Sequence, residues 1–164
     1  MITRLPDSNG EFTISDENLN RALEQVSLGF WEVNLVSGNF MSCTAQCKRN
    51  FGWETDRPFS YGDMLGRIIP EDLPEMQNQV LRSINDKTDY FAEYRVRHPD
   101  NSIRWIRAEG KVDYHQGVPQ RISGTTSDIT KIKNIELLRD ELINVAMHEL
   151  KTPLSTVKMA LQLL

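Results

Sequence analysis

Hydrophobic spacing divides the chain into three stretches. Residues 1–17 show no sustained period and read as a polar, acidic N-terminal arm, with Phe12 and Ile14 available to cover an apolar patch. Leu19, Ala22, Leu23 and Val26 then recur at helical spacing. They predict a short amphipathic helix that covers a sheet or pairs with a second copy. At Phe30 the period falls to two. Trp31, Val33 and Leu35 alternate with Glu32, Asn34 and Val36, Ser37-Gly38-Asn39 supplies a turn, and Phe40 to Cys43 returns as a second strand. Thr44 to Phe51 reads as a short helix stopped at Gly52, with further helical turns around Tyr61 to Ile68. A longer helix opens at Ile69-Pro70-Glu71-Asp72-Leu73-Pro74. Its acidic residues lie at the positive end of the helix dipole, and Pro74 fits the first turn. The expected buried stripe is Leu73, Met76, Val80, Leu81 and Ile84.

Three more strands follow. Tyr90, Ala92, Tyr94 and Val96 alternate with Phe91, Glu93, Arg95 and Arg97, so one face is apolar and the other largely charged. Ile103 to Tyr114 forms the next strand, with Trp105-Ile106 expected near the sheet centre, and His115 to Pro119 turns the chain. Gln120 to Ser127 closes the set, with Ile122, Gly124 and Thr126 on one face. Strands at both ends with helices grouped between them imply an α+β architecture: an antiparallel five-stranded sheet with helices on one face.

Beyond Asp128-Ile129-Thr130, where Thr130 or Asp128 can cap a helix, the spacing is three-four-three at Ile135, Leu138, Leu142 and Val145. This is a coiled-coil seam whose simplest partner is a second copy of the chain. A second seam, Leu154, Val157, Leu161 and Leu164, is offset from the first by about one residue near Pro153. Proline gives no N–H to the carbonyl of Glu149 and crowds that turn, so a bend is expected there. The organisation is therefore an arm (1–17), a folded module (18–130) and a long helix (131–164). The helical pattern is still running at Leu164, which reads as a fragment of a longer protein.

Composition narrows the function. The 164 residues carry a net charge of −4, which argues against a nucleic-acid partner. The absence of a long apolar run or a signal-like N-terminus points to the cytoplasm, with attachment of the parent to a membrane left open. Cys43 and Cys47, one turn apart if helical, are too few for a disulfide framework or a four-ligand zinc site and read as small semi-buried thiols. A thiol sensor built on the pair is a third functional reading, behind the two below.

Gly29-Phe30-Trp31-Glu32-Val33-Asn34, Phe51-Gly52-Trp53, Ile69-Pro70-Glu71-Asp72, Arg104-Trp105-Ile106 and Gly124-Thr125-Thr126-Ser127-Asp128-Ile129-Thr130 follow one another in the order seen in PAS domains, which residues 18–130 resemble. The resemblance implies a frequently dimeric sensor with, in some members, a pocket between sheet and helices. Trp31, Phe40, Met41 and Tyr94 are the residues placed to line it, although aromatic residues at strand spacing are more often core. Haem-binding members use a histidine on the long helix, and Glu71 to Lys87 contains none; His98 and His115 fall in loops. Flavin photosensors use a cysteine in an Asn-Cys-Arg-Phe-Leu-Gln context that neither cysteine has. No tightly bound cofactor or metal is expected.

The remaining motif is Met147-His148-Glu149-Leu150-Lys151-Thr152-Pro153-Leu154. A neutral imidazole is nucleophilic near neutral pH, an adjacent carboxylate can take the proton of its other nitrogen, and a hydroxyl one turn on can orient water. The stretch resembles the phosphoacceptor box of sensor histidine kinases, with Met147 and Leu142 in place of the usual Ser and Phe. The resemblance implies His148 as phosphoacceptor, Glu149 as general base and Thr152 in phosphatase water positioning. It further implies a homodimeric four-helix bundle, an ATP- and Mg-binding domain elsewhere in the parent, and a response-regulator receiver domain as partner. The chain has neither a glycine-rich phosphate loop nor an acidic magnesium cluster after residue 154, so kinase activity is not expected from it alone. The alternative is a dimerising ligand- or protein-interaction module whose helix transmits movement without phosphotransfer.

Overall fold

A computed structural model describes residues 15–37 and 40–162. The N-terminal arm up to residue 14, the Gly38-Asn39 tip of the first turn, and Leu164 of the second seam lie outside the described residues. The elements run α1 (Asp16–Gln25), β1 (Leu28–Asn34), β2 (Phe40–Cys43), α2 (Ala45–Asn50), α3 (Tyr61–Arg67), α4 (Leu73–Asp86), β3 (Tyr90–Arg97), β4 (Ile103–His115), β5 (Val118–Asp128) and α5 (Thr130–Gln162). The chain divides into two compact units, Met1–Asp128 and Ile129–Leu164.

Side-chain caps start the short helices of the first unit. Ser15 accepts from the Asn18 N–H at α1, Thr44 accepts from the Cys47 N–H at α2, and Ser60 with Asp63 forms a reciprocal capping box at α3. At α4 the Asp72 side chain makes no cap bond. It instead accepts from the backbone N–H and both Nε and Nη2 of Arg95 on β3, at 2.6–2.8 Å. Lys87, left-handed at φ 54°, ends α4.

All strand pairings are antiparallel, in the order β2-β1-β5-β4-β3, so the first and last strands of the unit lie side by side near the centre. The inner face carries Trp31 and Val33 from β1, Tyr94 and Val96 from β3, Ile106 and Ala108 from β4, and Ile122 and Thr126 from β5. Cys47 of α2, Phe51 at its C-terminal end, Met64 of α3 and Met76 of α4 close the core over it. Burial of each large apolar side chain contributes about 1.5–3 kcal/mol. Two glycines make room. A Cβ on Gly110 would lie 3.2 Å from the Trp31 ring, and one on Gly124 would collide with the Glu109 carbonyl at 1.8 Å.

Three expectations are corrected. Leu81 is 58% exposed, and Ser83 takes the buried position on α4. At about 100° per residue, Leu81 lies one step round the helix from Val80, off the stripe. Trp105 stands on the outer face opposite Arg95, whose guanidinium sits 5.7 Å from its ring centre, while Ile106 is fully buried. His115 is the last residue of β4 rather than a loop residue, and Pro119 belongs to β5. The turn is only Gln116-Gly117, both at positive φ, as a tight hairpin requires. Cys43 ends β2 and Cys47 lies across the Thr44 cap inside α2, on the strand and the helix that the spacing predicts.

The second unit is α5, 33 residues with Pro153 inside it. Helix continues on both sides of the proline, so the lost N–H perturbs one turn without ending the element. Among the described residues, no helix is long and apolar enough to cross a membrane.

Candidate functional site

Two regions carry chemistry, one in each unit. The first is a cavity of about 130 Å³ between the inner sheet face and α2, α3 and α4. Trp31 and Tyr94 line it, together with Cys47, Phe51, Met64 and Thr126. Phe40 and Met41 have side chains outside the described residues; Phe40 itself pairs with Val33 across the β1–β2 ladder. The lining is almost wholly apolar. The Trp31 Nε1–H is buried and has no hydrogen-bond partner among the described residues. Burial pushes the Tyr94 and Tyr61 phenols above their ordinary values, so both stay neutral donors. Pockets that enclose drug-sized ligands span roughly 300–1,000 Å³. A cavity of this size instead matches the roughly 150 Å³ apolar cavities that take up benzene.

A polar girdle holds α2 to the sheet beside the cavity. The buried Asn50 Nδ2 donates to the Thr126 carbonyl at 2.9 Å and its hydroxyl at 3.2 Å, and to the Ser27 carbonyl at 3.2 Å. His98 Nε2 lies 3.0 Å from the Asn50 carbonyl. Strand spacing places Thr126 on one face with Ile122, whereas the site residues it misses are Asn50 and Cys47, both on α2. Their available signal is positional: Cys47 and Phe51 stand four apart in a capped helix, on the face that must meet the sheet.

The two thiols meet at the start of α2. Cys47 is fully buried, whereas Cys43, on the edge strand, is half-buried with its Sγ 3.7 Å from the Thr44 carbonyl. Hydrogen bonding from the Cys47 thiol holds the Cys43 thiol below its ordinary value against the opposing effect of burial, with help from the Lys48 charge. The same hydrogen bond, and then burial, push the Cys47 thiol upward.

The second region is the motif on α5. His148 and Glu149 are exposed neighbours on the helix, and Thr152 follows His148 by one helical turn of backbone. The Thr152 side chain lies outside the described residues; Pro153 is exposed. The seam residues Ile135, Leu138, Leu142 and Val145 are 55–70% exposed. Ile143, Met147 and Leu150 form a second exposed apolar row. Among the described residues, no group of three or more His, Cys, Asp or Glu side chains is placed to hold a metal ion.

Comparison with known proteins supplies the family. Residues 40–126 match the PAS fold. Over 144 residues, 88% of its length, the chain is 24% identical to proteins named blue-light-activated histidine kinase from Brucella ovis and Brucella suis. It spans 29% of the length of these curated relatives. Among solved structures, it is similar to a sensory box histidine kinase/response regulator from Burkholderia thailandensis, with a TM-score of 0.65, 25% identity, and coverage of 81% of this chain and 97% of that one. It is also similar to the N-terminal domain of a diguanylate cyclase with PAS/PAC sensor from Marinobacter aquaeolei, with a TM-score of 0.59, 25% identity, and coverage of 65% and 98%. The matched segment runs from the edge strand β2 through α4 into β5 and so takes in most of the cavity wall; the chain belongs to the PAS fold family, and its sensor unit is related to those of histidine kinases.

Proposed function

We propose that the chain is the sensory and phosphoacceptor part of a two-component histidine kinase. One observation carries the reading. The run His148-Glu149-Leu150-Lys151-Thr152-Pro153-Leu154 lies on a long helix that begins two residues after the last PAS strand, with the imidazole and its neighbouring carboxylate exposed. In the reaction, a lone pair of the His148 ring forms the N–P bond to the γ-phosphorus of ATP while the P–O bond to ADP breaks. Glu149 takes the proton from the other ring nitrogen as positive charge develops on the ring. The phosphoryl group then passes to an aspartate of a response regulator. For the reverse, hydrolytic reaction, the Thr152 hydroxyl orients the attacking water. ATP and magnesium are held by a separate domain of the parent, and the chain alone gives no phosphohistidine.

Dimerisation belongs to the same reading. Two exposed apolar rows on α5 exceed the single seam of a two-stranded coiled coil and suit a helix that buries two faces in a bundle. Neither cysteine has the Asn-Cys-Arg-Phe-Leu-Gln context of the flavin photosensors, so we carry no light response over from the relatives' names. The visible absorption spectrum of the purified chain tests this: a spectrum with no band beyond the aromatic region is expected.

A second reading has its own support. The same fold at 25% identity also precedes a diguanylate cyclase, so a PAS unit by itself fits a dimerising interaction module without phosphotransfer. His148→Gln in the full-length protein separates the two. Loss of phosphohistidine and of transfer to the regulator supports the kinase; unchanged signalling supports the interaction module.

A further inference from the structure

We infer that Cys43 and Cys47 form a peroxide-reactive dithiol site, in which Cys43 is the attacking sulfur and Cys47 the resolving one, closing to an intramolecular disulfide across the N-cap of α2. The geometry carries it. The chain leaves the sheet at Cys43, Thr44 caps the helix by accepting from the Cys47 N–H at 3.3 Å, and the cap turn brings the third helical residue back against the one before the cap. The two sulfurs become neighbours that differ in access: Cys43 is half-buried on an edge strand, Cys47 fully buried. Each thiol is the largest influence on the ionisation of the other, and the difference favours thiolate at Cys43. An accessible thiolate beside a resolving thiol is the arrangement that oxidant-sensing cysteines use.

The chemistry balances with a hydroperoxide as the oxidant. The Cys43 thiolate attacks one peroxide oxygen; an S–O bond forms, the O–O bond breaks, and the departing oxygen leaves as water or alcohol after taking up a proton. Cys47 sulfur then attacks the sulfenic sulfur. The S–S bond forms, the S–O bond breaks, and the hydroxyl leaves as water with the Cys47 proton. The thiol pair loses two electrons in all, and the peroxide gains them.

Bridging bears directly on the sensor core. Cys47 contributes to the cavity wall, and its backbone is seated on β1 so closely that a Cβ on Gly29 would lie 2.4 Å from the Cys47 Cα. The Cys47 backbone therefore has no room to move toward β1, so closure is taken up at the two side chains and alters the cavity wall at Cys47.

The test uses the chain as it stands and is independent of phosphotransfer. Both cysteines fall in one tryptic peptide, Ala22 to Lys48. After treatment with one equivalent of hydrogen peroxide, the expected peptide is lighter by two hydrogens, resists alkylation and is restored by dithiothreitol. Cys47→Ser is expected to stop at a Cys43 sulfenic acid that dimedone traps. Cys43→Ser changes the half-buried site only, and its Cys47 is expected to alkylate at least about tenfold more slowly than wild-type Cys43, the factor that one unit of thiol pKa carries. Two freely alkylated cysteines after peroxide, a disulfide between chains, or faster reaction at Cys47 than at Cys43 would each overturn the proposal.

Discussion

The two units treat their apolar side chains in opposite ways. In the first, Val96 and Ile106 are wholly buried, and the groups that meet on the inner sheet face come from every helix between the strands. In the second, Leu142 is 70% exposed and Ile135 67%, although both stand at regular seam positions. The sheet of the PAS unit thus buries its inner face under α2, α3 and α4 of its own chain, although Leu19 and Val26 at α1 stay exposed, whereas α5 carries a pattern that only another surface can bury. A substitution therefore tests different things in the two places: folding in the first, and the proposed association and phosphotransfer in the second.

The sharpest expected break in that contrast is functional. His148→Gln in the full-length protein should remove phosphohistidine altogether, measured by acid-labile phosphate, while leaving the thermal unfolding of the PAS unit unchanged. A lowered melting temperature would blur the division. Next comes folding. Gly124→Ala drives a Cβ into the Glu109 carbonyl and the Gly110 Cα, which is backbone with nowhere to go. It should cost at least about 3 kcal/mol in urea unfolding.

Asp72→Asn should cost about 1–3 kcal/mol, because the Arg95 donors lose a charged acceptor. Its pH dependence has a definite sign. Hydrogen bonding from Arg95 holds the Asp72 carboxyl below its ordinary 3.8, so the carboxylate favours the folded state. The stabilisation is complete above that ordinary value and disappears as pH falls through the lower folded one. The stability gap between wild type and variant, followed by urea titration, should accordingly stay flat down to about pH 4 and shrink below it. Smallest for folding is Leu142→Asp on α5, which should move the unfolding of the PAS unit by no more than about 0.5 kcal/mol. In sedimentation the same variant should shift a dimer to a monomer. A dimer that survives it would place self-association elsewhere.

Much of this contrast was legible in the residues, because periodicity records which side of an element meets apolar surroundings. Tyr90, Ala92, Tyr94 and Val96 announce a one-sided strand, and the structure buries all four. Seam spacing likewise announced α5. What periodicity cannot record is how far a neighbouring surface reaches. Leu81 looked like core because it is apolar and close to Val80; the sheet beneath α4 favours the small Ser83 and leaves Leu81 out. Spacing places Cys43 on a strand and Cys47 on the next helix, but it does not record that the turn at the Thr44 cap brings the two sulfurs together. The cavity was the least legible feature. Its wall residue Trp31 lies against Gly110 of β4 and pairs in register with Gly124 of β5, a coincidence of three strands that no one strand displays. In the motif on α5, the residue types carry the proposed chemistry, whereas the Thr152 side chain lies outside the described residues.

The central pairing of β1 with β5 has a mechanical consequence. The chain comes into the sheet at Leu28 and departs at Asp128, and Leu28 faces Ser127 at the same end of the ladder. The bonds of an antiparallel ladder run across the strands. A pull between the segments before and after the unit therefore loads those bonds singly from that end, as in a zipper, rather than all at once in shear. Under tension the β1–β5 seam should peel at Leu28–Ser127 first, so a tug reaches the junction with α5 at low force while the remote half of the sheet is still intact.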